Sequence, residues 1–286
     1  MFLPRKVLED KLWDILAEDL GQGDVTTALI VPADSTAQAE VISKESGVIA
    51  GMEEARIMLE GLGLKIEILI EDGEKAEAKS ILAKISGDTR TILSVERTLI
   101  NIVSRMSGIA TMTRQLIEKL RKAGLETKIA STRKVAPGLL FFDKKAVMIG
   151  GGDTHRLHLD DMILVKDNHI AVAGGVGKAI KRVRKECSFS KKIEVEVTNV
   201  DDVLTATKAG VDVVMLDNFS PLEIEKAVRL LKKEQMYGKV LLEASGGITP
   251  ANILSYASKG VDIVSLGLLT ESAEALDMSL DVTKIS

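Results

Sequence analysis

Residues 193–217, IEVEVTNVDDVLTATKAGVDVVMLD, contain two short apolar runs separated by a segment with helical spacing. The runs Ile193–Val197 and Val213–Leu216 have the length and the β-branched content of buried strands. Between them, the apolar residues of Val203–Ala209 recur with the period of a helix. A strand, a helix and a second strand in this order form a βαβ unit with parallel strands. The stretch therefore predicts a parallel sheet covered by helices.

The same rhythm extends in both directions from this unit and covers the chain from about residue 127 onward. Helical spacing follows further runs, as in Ile224–Leu231 and Ile253–Ala257. Six or seven parallel strands joined by right-handed crossovers either close into an α/β barrel or stay open. The six apolar runs are Lys128–Ser131, Met162–Val165, Ile193–Val197, Val213–Leu216, Val240–Glu243 and Ile263–Leu266.

The chain before about residue 90 has a different texture, in which short helical and strand-like segments alternate. This mixture predicts a small α+β domain. Apolar residues from Ile92 to Leu120 then follow the helical period, as one helix or as two helices interrupted at Ser107-Gly108. The helical candidates before residue 90 are Leu8–Leu20 and Glu53–Leu62, and the strand candidates are Gln38–Ser43, Leu64–Ile70 and Ser80–Ile85.

Composition excludes several classes of function. Lys and Arg total 38 against 42 acidic residues, so the net charge of -4 does not favour nucleic acid as a partner. One Trp, two Tyr and five Phe offer few platforms for stacking bases. Cys187 is the only cysteine, so a reducing compartment is expected. We find neither a signal peptide nor a run of about twenty apolar residues, which predicts a cytoplasmic protein without a membrane partner.

The loop from Glu243 to Asn252 carries the pattern of a phosphate site. A strand leads into Gly246-Gly247, and Thr249-Pro250 is the expected start of the next helix. Glycines allow backbone amides to approach an anion, and a helix N-terminus adds its positive dipole end. Gly267 ends the following strand, and paired loops after the last two strands are the usual phosphate site of α/β barrels. Tight turns without a ligand are the simpler interpretation, and we favour phosphate.

Charged residues cluster at the predicted strand ends. Arg133, Lys134, Arg156 and Lys166 fall near these ends, and Arg97 lies on the preceding helix. Arginine offers a planar fork to carboxylate or phosphate, and lysine supplies a compact charge. Such a group in an acidic protein predicts a small anionic ligand with several charges.

A second cluster is acidic, with Glu194, Glu196 and Asp217 at neighbouring strand ends. Carboxylates there bind Mg²⁺, usually through water, or accept hydrogen bonds from sugar hydroxyls. Because strand side chains alternate between faces, we expect only one of the two glutamates to serve.

The three histidines, His155, His158 and His169, lie within fifteen residues of one another. The spacing of Asp153, His155 and His158 resembles that of metal ligands, and a metal-dependent barrel hydrolase is one alternative. Neighbouring Arg156 and Lys166 disfavour a dication, so we favour hydrogen bonding of His155 to an anion. We expect His158 to be a bystander and His169 to shape the loop that carries Lys166.

Several short motifs in this order closely resemble the quinolinate phosphoribosyltransferase family, whose activity is that of a nicotinate-nucleotide pyrophosphorylase (carboxylating). The resemblance covers about residues 18–268. Its ordered spacing makes it specific, although each motif alone is short. The motifs are Glu96-Arg-Thr98, Ser107-Gly-Ile109, Thr132-Arg-Lys-Val-Ala-Pro-Gly138, Gly150-Gly-Gly-Asp-Thr-His-Arg156, Lys166-Asp-Asn-His169, Glu194-Val-Glu196, Leu216-Asp-Asn218 and Ala244-Ser-Gly-Gly-Ile248.

The resemblance implies an N-terminal α/β-sandwich domain and an open α/β barrel of the type II phosphoribosyltransferase class. The implied boundaries are 1–108 for the sandwich and 109–268 for the catalytic barrel, with the tail 269–286 expected to pack on the sandwich. It also implies a homodimer or a hexamer of dimers. The implied reaction, a pentosyl transfer in de novo NAD biosynthesis, joins quinolinate to phosphoribosyl pyrophosphate with Mg²⁺ and gives nicotinate mononucleotide, pyrophosphate and CO₂.

The resemblance also implies residue roles. Arg133, Lys134, His155, Arg156 and Lys166 match the pocket for quinolinate and pyrophosphate, and Arg97 matches an arginine donated by the other subunit. Glu196 and Asp217 match carboxylates near the ribose and the metal, and Ser245, Gly246, Gly247 and Gly267 match the 5-phosphate site. The catalytic assignment covers Lys134, Lys166, Glu196 and Asp217.

This sequence departs from the family pattern beside these residues. The family usually has Asp where Ser131 stands, two threonines where Val135 and Ala136 stand, Arg where Leu140 stands, and often Asn-His where Asp153-Thr154 stand. The residues that the resemblance assigns to substrate binding are present, whereas their neighbours differ from the family pattern. We expect such differences to affect which substrate the protein binds. The alternative is a related branch associated with molybdenum transport, which shares the fold and takes a different acceptor.

Overall fold

A four-stranded antiparallel sheet and a six-stranded parallel sheet organise this computed structural model, which describes residues 3–286. Each sheet belongs to its own unit. The first unit comprises residues up to Arg114, Gly138–Gly151 and Ala273–Ser286, and the second comprises Gln115–Pro137 and Gly152–Ser272. The fold is therefore mixed α/β, as the sequence predicts.

The elements alternate along the chain between helices and strands. The first part contains α1 (Arg5–Leu20), α2 (Val25–Ile30), β1 (Thr36–Ser43), β2 (Gly47–Val48), α3 (Met52–Gly61), β3 (Lys65–Ile68), β4 (Lys75–Ala76), β5 (Ile81–Asp88) and α4 (Thr89–Lys122). The second part contains β6 (Lys128–Ser131), α5 (Leu140–Ile149), β7 (Ile163–Val165), α6 (Asp167–Ala173), α7 (Val176–Glu186), β8 (Ile193–Val197), α8 (Val200–Ala209), β9 (Val213–Asp217), α9 (Pro221–Lys233), β10 (Leu241–Ser245), α10 (Ile253–Ala257), β11 (Ile263–Leu266), α11 (Leu268–Glu271) and β12 (Met278–Ile285).

The antiparallel sheet of the first unit has the strand order β12-β1-β5-β3. Strand β1 alternates exposed and buried residues, and Ala37, Ala39 and Val41 supply the buried face. Val41 pairs with Leu280 of β12 on one side and with Ala83 of β5 on the other. The last strand of the chain, β12, therefore lies at the edge of this sheet, beside the first strand, β1.

Helix α4 is continuous through Ser107-Gly108, so the interruption that the sequence left open does not occur. Ser107 Oγ donates to the carbonyl of Ala50 at 3.1 Å and accepts from its amide at 3.0 Å. A Cβ on Gly108 would lie 1.8 Å from the carbonyl oxygen of Glu274. The glycine therefore permits a close backbone approach and does not mark a helix break. In the part of the chain that the structure describes, no helix has both the length and the apolar character needed to cross a bilayer.

A lysine and a glutamate, Lys145 and Glu54, are buried together in the first unit. Lys145 Nζ donates to Glu54 Oε1 at 2.7 Å and also contacts the carboxylate of Glu53. The side chain of Glu54 has no exposure to solvent, and that of Lys145 has 6%. Burial raises the pKa of Glu54, and the charge of Lys145 opposes that rise. The carboxylate therefore depends on Lys145 for its charge compensation.

Lys145→Met is expected to lower the free energy of unfolding by about 3–5 kcal/mol, because it leaves the Glu54 carboxylate buried without a partner. Urea denaturation followed by circular dichroism measures the loss. The matched control is Lys145→Met combined with Glu54→Gln, which removes the unpaired charge and should recover most of the stability. Equal stability of the wild type and the single variant would contradict this account of the pair.

The sheet of the second unit is parallel throughout and has the strand order β6-β11-β10-β9-β8-β7. All six apolar runs became strands, each within about two residues of its predicted bounds. Beyond β6, Asp153 forms an isolated parallel bridge with Ala130. Within residues 3–286, no ladder joins β6 to β7, so the barrel is open, as predicted. Because the strands are parallel, all their carboxyl ends lie at one edge of the sheet.

Candidate active site

A cavity of about 660 Å³ lies in the second unit at the carboxyl ends of its strands. Eleven of the twelve predicted site residues line it: Arg133, Lys134, His155, Arg156, Lys166, Glu196, Asp217, Ser245, Gly246, Gly247 and Gly267. The twelfth, Arg97, belongs to helix α4 in the first unit, where its side chain is exposed 3.9 Å from Glu96. The cavity is also lined by residues for which the sequence predicts no individual role, including Asn218, Glu243, Ser265 and Glu271.

The strand ends determine where these side chains stand. Glu196 and Ser245 lie within β8 and β10 at their carboxyl ends, and Asp217 ends β9. Lys166 and Gly267 are the first residues after β7 and β11. Residues that are distant in sequence therefore meet because one edge of a parallel sheet collects every strand end.

The loop after β10 provides free backbone amides. Gly246 and Gly247 have φ angles of +92° and +62°, which favour glycine. Neither amide makes a hydrogen bond to any residue from 3 to 286. Successive amides in such a turn form a concavity that binds anions. The loop therefore offers a phosphate site without needing a lysine or arginine.

Asn252 holds the far side of this loop. Its Oδ1 accepts from the amide of Thr249 at 2.7 Å, and its Nδ2 donates to the carbonyl of Gly247 at 3.1 Å. Residues 250–252 form a turn, and helix α10 begins at Ile253. The sequence predicts that this helix starts at Thr249-Pro250, which is a few residues too early. The Thr249 amide is thus already bonded, which leaves the glycine amides as the anion donors.

Gly246→Ala is expected to raise the KM for the phosphate-bearing substrate by about tenfold to a hundredfold, because misplaced binding groups act on this scale. A Cβ at Gly246 would lie 2.2 Å from Asn218 Oδ1, so the loop must move. The matched control is Gly247→Ala, since no atom lies within 4 Å of a Cβ there. Steady-state kinetics compare the two, and equal effects would contradict a steric cause.

Two of the four Lys and Arg side chains that line the cavity face carboxylates. Lys166 Nζ donates to both oxygens of Glu196, at 2.7 Å and 3.1 Å. Lys134 Nζ lies 3.7 Å from Glu271 Oε2 in a more exposed position. The hydrogen bonds to Glu196 hold Lys166 in place before any ligand arrives, whereas the exposed contact of Lys134 with Glu271 is weak.

The other two cations, Arg133 and Arg156, have no carboxylate partner. Throughout the described range 3–286, no acidic oxygen lies within 4 Å of either guanidinium. Arg156 is only 9% exposed, whereas Arg133 is exposed. Burial lowers the pKa of Arg156, and the positive charge of Arg133 lowers it further. An anion with two negative groups would relieve both the burial and the repulsion.

A buried polar network lies beside these arginines. His155 Nε2 is 3.2 Å from Glu243 Oε2 and 3.3 Å from Glu194 Oε2. Ser265 Oγ donates to the other Glu243 oxygen at 2.5 Å. Both carboxylates are fully buried. Burial alone would lower the pKa of His155, but hydrogen bonds and charges from Glu194 and Glu243 outweigh it and raise that pKa.

Only Glu196 of the two glutamates lines the cavity, as expected, but the alternation given as the reason was misapplied. Residues two apart on a strand share a face, so alternation places both glutamates on the same side. Glu194 contacts His155, and Glu196 contacts Lys166. Burial raises the pKa of Glu194, and the charge of Glu243 raises it further, while His155 opposes the rise.

The metal site considered for Asp153, His155 and His158 does not form. Among residues 3–286, the one group with the spacing of metal ligands is His155, Glu194 and Glu243. His158 is exposed, and its amide donates to Asp161 Oδ2 at 2.9 Å. His169 Nδ1 accepts from the Lys166 amide at 3.0 Å, which confirms that His169 shapes the Lys166 loop.

The open parallel barrel, the free glycine amides and the two unpaired arginines define an α/β-barrel enzyme that binds phosphate- and carboxylate-bearing substrates. Residues 24–107 match the model of the quinolinate phosphoribosyl transferase N-terminal domain, and residues 109–281 match that of its C-terminal domain. The chain belongs to the quinolinate phosphoribosyl transferase family. The resemblance predicted from the motifs is thereby confirmed.

Relatives support the same assignment along the whole chain. A probable nicotinate-nucleotide pyrophosphorylase (carboxylating) of Methanothermobacter thermautotrophicus is 42% identical over 96% of this chain and 98% of its own. The crystal structure of NadC from Streptococcus pyogenes has a TM-score of 0.90, 34% identity, and coverage of 100% and 99%. The nicotinate-nucleotide pyrophosphorylase from Francisella tularensis has a TM-score of 0.88, 36% identity, and coverage of 99% and 98%. These names match the main prediction and neither of the two alternatives.

Proposed function

We propose that this protein transfers phosphoribosyl from phosphoribosyl pyrophosphate to quinolinate, with loss of CO₂, and so makes nicotinate mononucleotide. The observation that carries the proposal is the pair Arg133 and Arg156, two arginines without a carboxylate partner in one cavity. Quinolinate carries two carboxylates on adjacent ring carbons, and each suits the planar fork of a guanidinium. A monoanion would leave one of the two charges without a partner.

The second substrate fits the remaining parts of the cavity. The free amides of Gly246 and Gly247, with Ser245 and Gly267 beside them, would receive the 5-phosphate. Lys134, exposed near Glu271, would reach the pyrophosphate. Glu196 and Asp217 would then face the ribose, whose hydroxyls donate hydrogen bonds to carboxylates.

The transfer forms one bond and breaks one. The ring nitrogen of quinolinate attacks the anomeric carbon, and pyrophosphate leaves with the electron pair of the broken C–O bond. Positive charge develops on the ribose in the transition state, so Glu196 and Asp217 stabilise it where it appears. Lys166, held on Glu196 at 2.7 Å, keeps that carboxylate in place.

Decarboxylation follows from the charge on the ring. The new pyridinium nitrogen withdraws electrons from the adjacent carbon, so that carbon can keep the electron pair when its carboxylate leaves as CO₂. The carbon then takes up a proton. Lys134 and Lys166 are the cavity's two lysines, and we assign the proton transfer to one of them.

Mg²⁺ fits this cavity as an ion held largely by the substrate. Both oxygens of Glu196 already accept from Lys166. Among residues 3–286, the Asp217 carboxylate accepts one hydrogen bond, from Asn218 Nδ2 at 3.0 Å. One or two carboxylates, water and phosphate oxygens are the usual ligands of Mg²⁺ in such sites. Asp217, with Glu196 through water, would hold the ion. When bound, Mg²⁺ supplies charge neutralisation for the pyrophosphate leaving group.

The proposal extends to assembly and location. We place the protein in the cytoplasm, as a homodimer or a hexamer of dimers, with Arg97 donated to the partner's cavity. The exposure of the Arg97 side chain, 65%, supports a role at an interface between subunits. Sedimentation velocity distinguishes a dimer from a hexamer, and a monomer would contradict this part of the proposal.

The experiment for the main proposal is product identification. With quinolinate, phosphoribosyl pyrophosphate and MgCl₂, we expect mass spectrometry to find nicotinate mononucleotide at a level that rises with enzyme concentration. EDTA should abolish its formation, and excess Mg²⁺ should restore it. Absence of the product in the complete mixture would contradict the proposed reaction, and turnover unaffected by EDTA would contradict the metal requirement.

A further inference from the structure

His155 uses both ring nitrogens within the protein. Nδ1 accepts from the backbone amide of Arg156 at 2.8 Å, and Nε2 faces Glu243 and Glu194 at 3.2 Å and 3.3 Å. Because the amide hydrogen of Arg156 points at Nδ1, that nitrogen cannot also carry a proton. The ring is therefore the neutral tautomer protonated at Nε2, although the two carboxylates that Nε2 faces raise its pKa. Neither nitrogen is left to bind a substrate.

The backbone at His155 is also unusual. Its φ of +51° lies in the left-handed region, which a residue other than glycine seldom adopts without support. The His155 amide donates to Asp153 Oδ1 at 2.7 Å, and the backbone of Asp153 bonds to both Ile129 and Ser131. Two backbone hydrogen bonds of Asp153 therefore fix one end of the turn to the edge of β6. The ring of His155 fixes the other end.

That ring is anchored on two strands of the barrel. Glu194 belongs to β8 and Glu243 to β10, and both are fully buried. Ser265 of β11 fixes the second oxygen of Glu243 at 2.5 Å. The network ties the turn before Arg156 to three strands. Among residues 3–286, the hydrogen bond that joins this network to the cavity's cations is the one from the amide of Arg156 to His155 Nδ1.

We propose that His155 is a positioning residue for Arg156: the buried network of Glu194, Glu243 and Ser265 fixes the ring, and Nδ1 fixes the backbone that aims the Arg156 guanidinium at the quinolinate carboxylate. This inference rests on the proposed function. It differs from direct binding of quinolinate by His155, because it gives the imidazole no contact with substrate.

The same geometry argues against a metal at His155, Glu194 and Glu243. A metal-bound imidazole presents the lone pair of one nitrogen and donates a hydrogen bond from the other. Here the amide of Arg156 occupies Nδ1 as a donor, so Nε2 carries the proton and has no lone pair to offer. Glu243 accepts the hydrogen bond from the ring, and Glu194 Oε2 lies 3.3 Å from Nε2 without a hydrogen bond.

Three variants of His155 separate positioning from contact with substrate. In His155→Asn, Oδ1 replaces Nδ1 at the same distance along the side chain, and Asn tolerates the left-handed backbone. In His155→Gln, the amide reaches the Nε2 position, and no acceptor remains at Nδ1. His155→Ala removes both contacts.

The test is steady-state kinetics with quinolinate and phosphoribosyl pyrophosphate, with circular dichroism melting as the check on folding. We expect His155→Ala and His155→Gln to raise the KM for quinolinate by about a hundredfold, and His155→Asn to bring it back within about tenfold of the wild type. The KM for phosphoribosyl pyrophosphate should change by less than about threefold in all three, since Arg156 acts on quinolinate alone.

Three results would overturn the inference. They are an unchanged KM for quinolinate in His155→Ala, equal defects in Asn and Gln variants, and better recovery by Gln than by Asn. If His155→Ala does not fold, the comparison of Asn with Gln decides the matter by itself. A wild-type enzyme that does not use quinolinate contradicts the proposed function instead, and equilibrium dialysis of radiolabelled quinolinate then shows whether the variants alter binding alone.

Discussion

Arg156→Ala is expected to lower kcat/KM for quinolinate about a thousandfold, mainly through KM, because a bidentate pair of charged hydrogen bonds contributes about 3–6 kcal/mol. Arg156 is 9% exposed and has no carboxylate partner among residues 3–286, so its charge is available to a ligand. Steady-state assays that vary quinolinate at saturating phosphoribosyl pyrophosphate measure the effect.

Arg156→Lys is the matched control for this variant. Lysine keeps the charge and loses the planar fork, so we expect about a tenfold recovery over the alanine variant and no return to wild-type activity. The KM for phosphoribosyl pyrophosphate should stay close to that of the wild type in both. A KM for quinolinate that changes less than about fivefold in Arg156→Ala would remove the arginine from the binding site.

Glu196→Gln is expected to lower kcat by about a hundredfold to a thousandfold, the scale seen when one electrostatic stabiliser of a transition state is removed. Gln keeps the shape and loses the negative charge that, in the proposed function, stabilises the ribose. It also turns a donor toward Lys166 Nζ, which lies 2.7 Å and 3.1 Å from the two carboxylate oxygens. Measurement of kcat at saturation with both substrates gives the result directly.

Glu196 and Lys166 are hydrogen-bonded to each other, so a double-mutant cycle supplies the control. We expect Lys166→Met and Glu196→Gln each to reduce kcat, and the double variant to be no slower than the slower single variant. Strictly additive losses would show that the two side chains act separately. A kcat within about threefold of the wild type for Glu196→Gln would contradict a role in the transition state.

The strands of the barrel could be predicted because the signal is local. In Ile193–Val197 and Val213–Asp217, apolar and β-branched residues form a run of strand length, and turn residues bound each run. Parallel strands then place Lys166 and Asp217 at one edge, which needs no knowledge of side-chain contacts. The family motifs supplied the rest, and the cavity collects eleven of the twelve residues they indicated.

The buried network beside the arginines could not be predicted in the same way. Glu243 and Ser265 meet only because β10 and β11 are neighbours in register, and Ser265 pairs directly with Ser245. Glu194 and Glu196 lie two residues apart, so alternation places them on one face, but it does not indicate that Glu194 would contact His155. The left-handed backbone of His155 has no sequence signal, since histidine does not require it.

Unit boundaries illustrate a further limit of sequence patterns. Residues 138–151 group with the first unit, although they lie between β6 and β7 of the second unit's sheet. Their apolar spacing indicates a helix, α5, and carries no information about which core the helix joins. The contacts of Asp143 show that α5 packs on the first unit: its carboxylate accepts two hydrogen bonds from Arg105, at 2.7 Å and 2.9 Å.

The most direct test of the central proposal follows the carboxylate that the reaction should release. Quinolinate labelled with ¹⁴C in the carboxylate next to the ring nitrogen is incubated with the enzyme, phosphoribosyl pyrophosphate and MgCl₂. We predict that ¹⁴CO₂, pyrophosphate and nicotinate mononucleotide form in equal amounts, and that nicotinate in place of quinolinate gives no product. Pyrophosphate release without ¹⁴CO₂, or turnover of nicotinate as fast as quinolinate, would contradict the assignment.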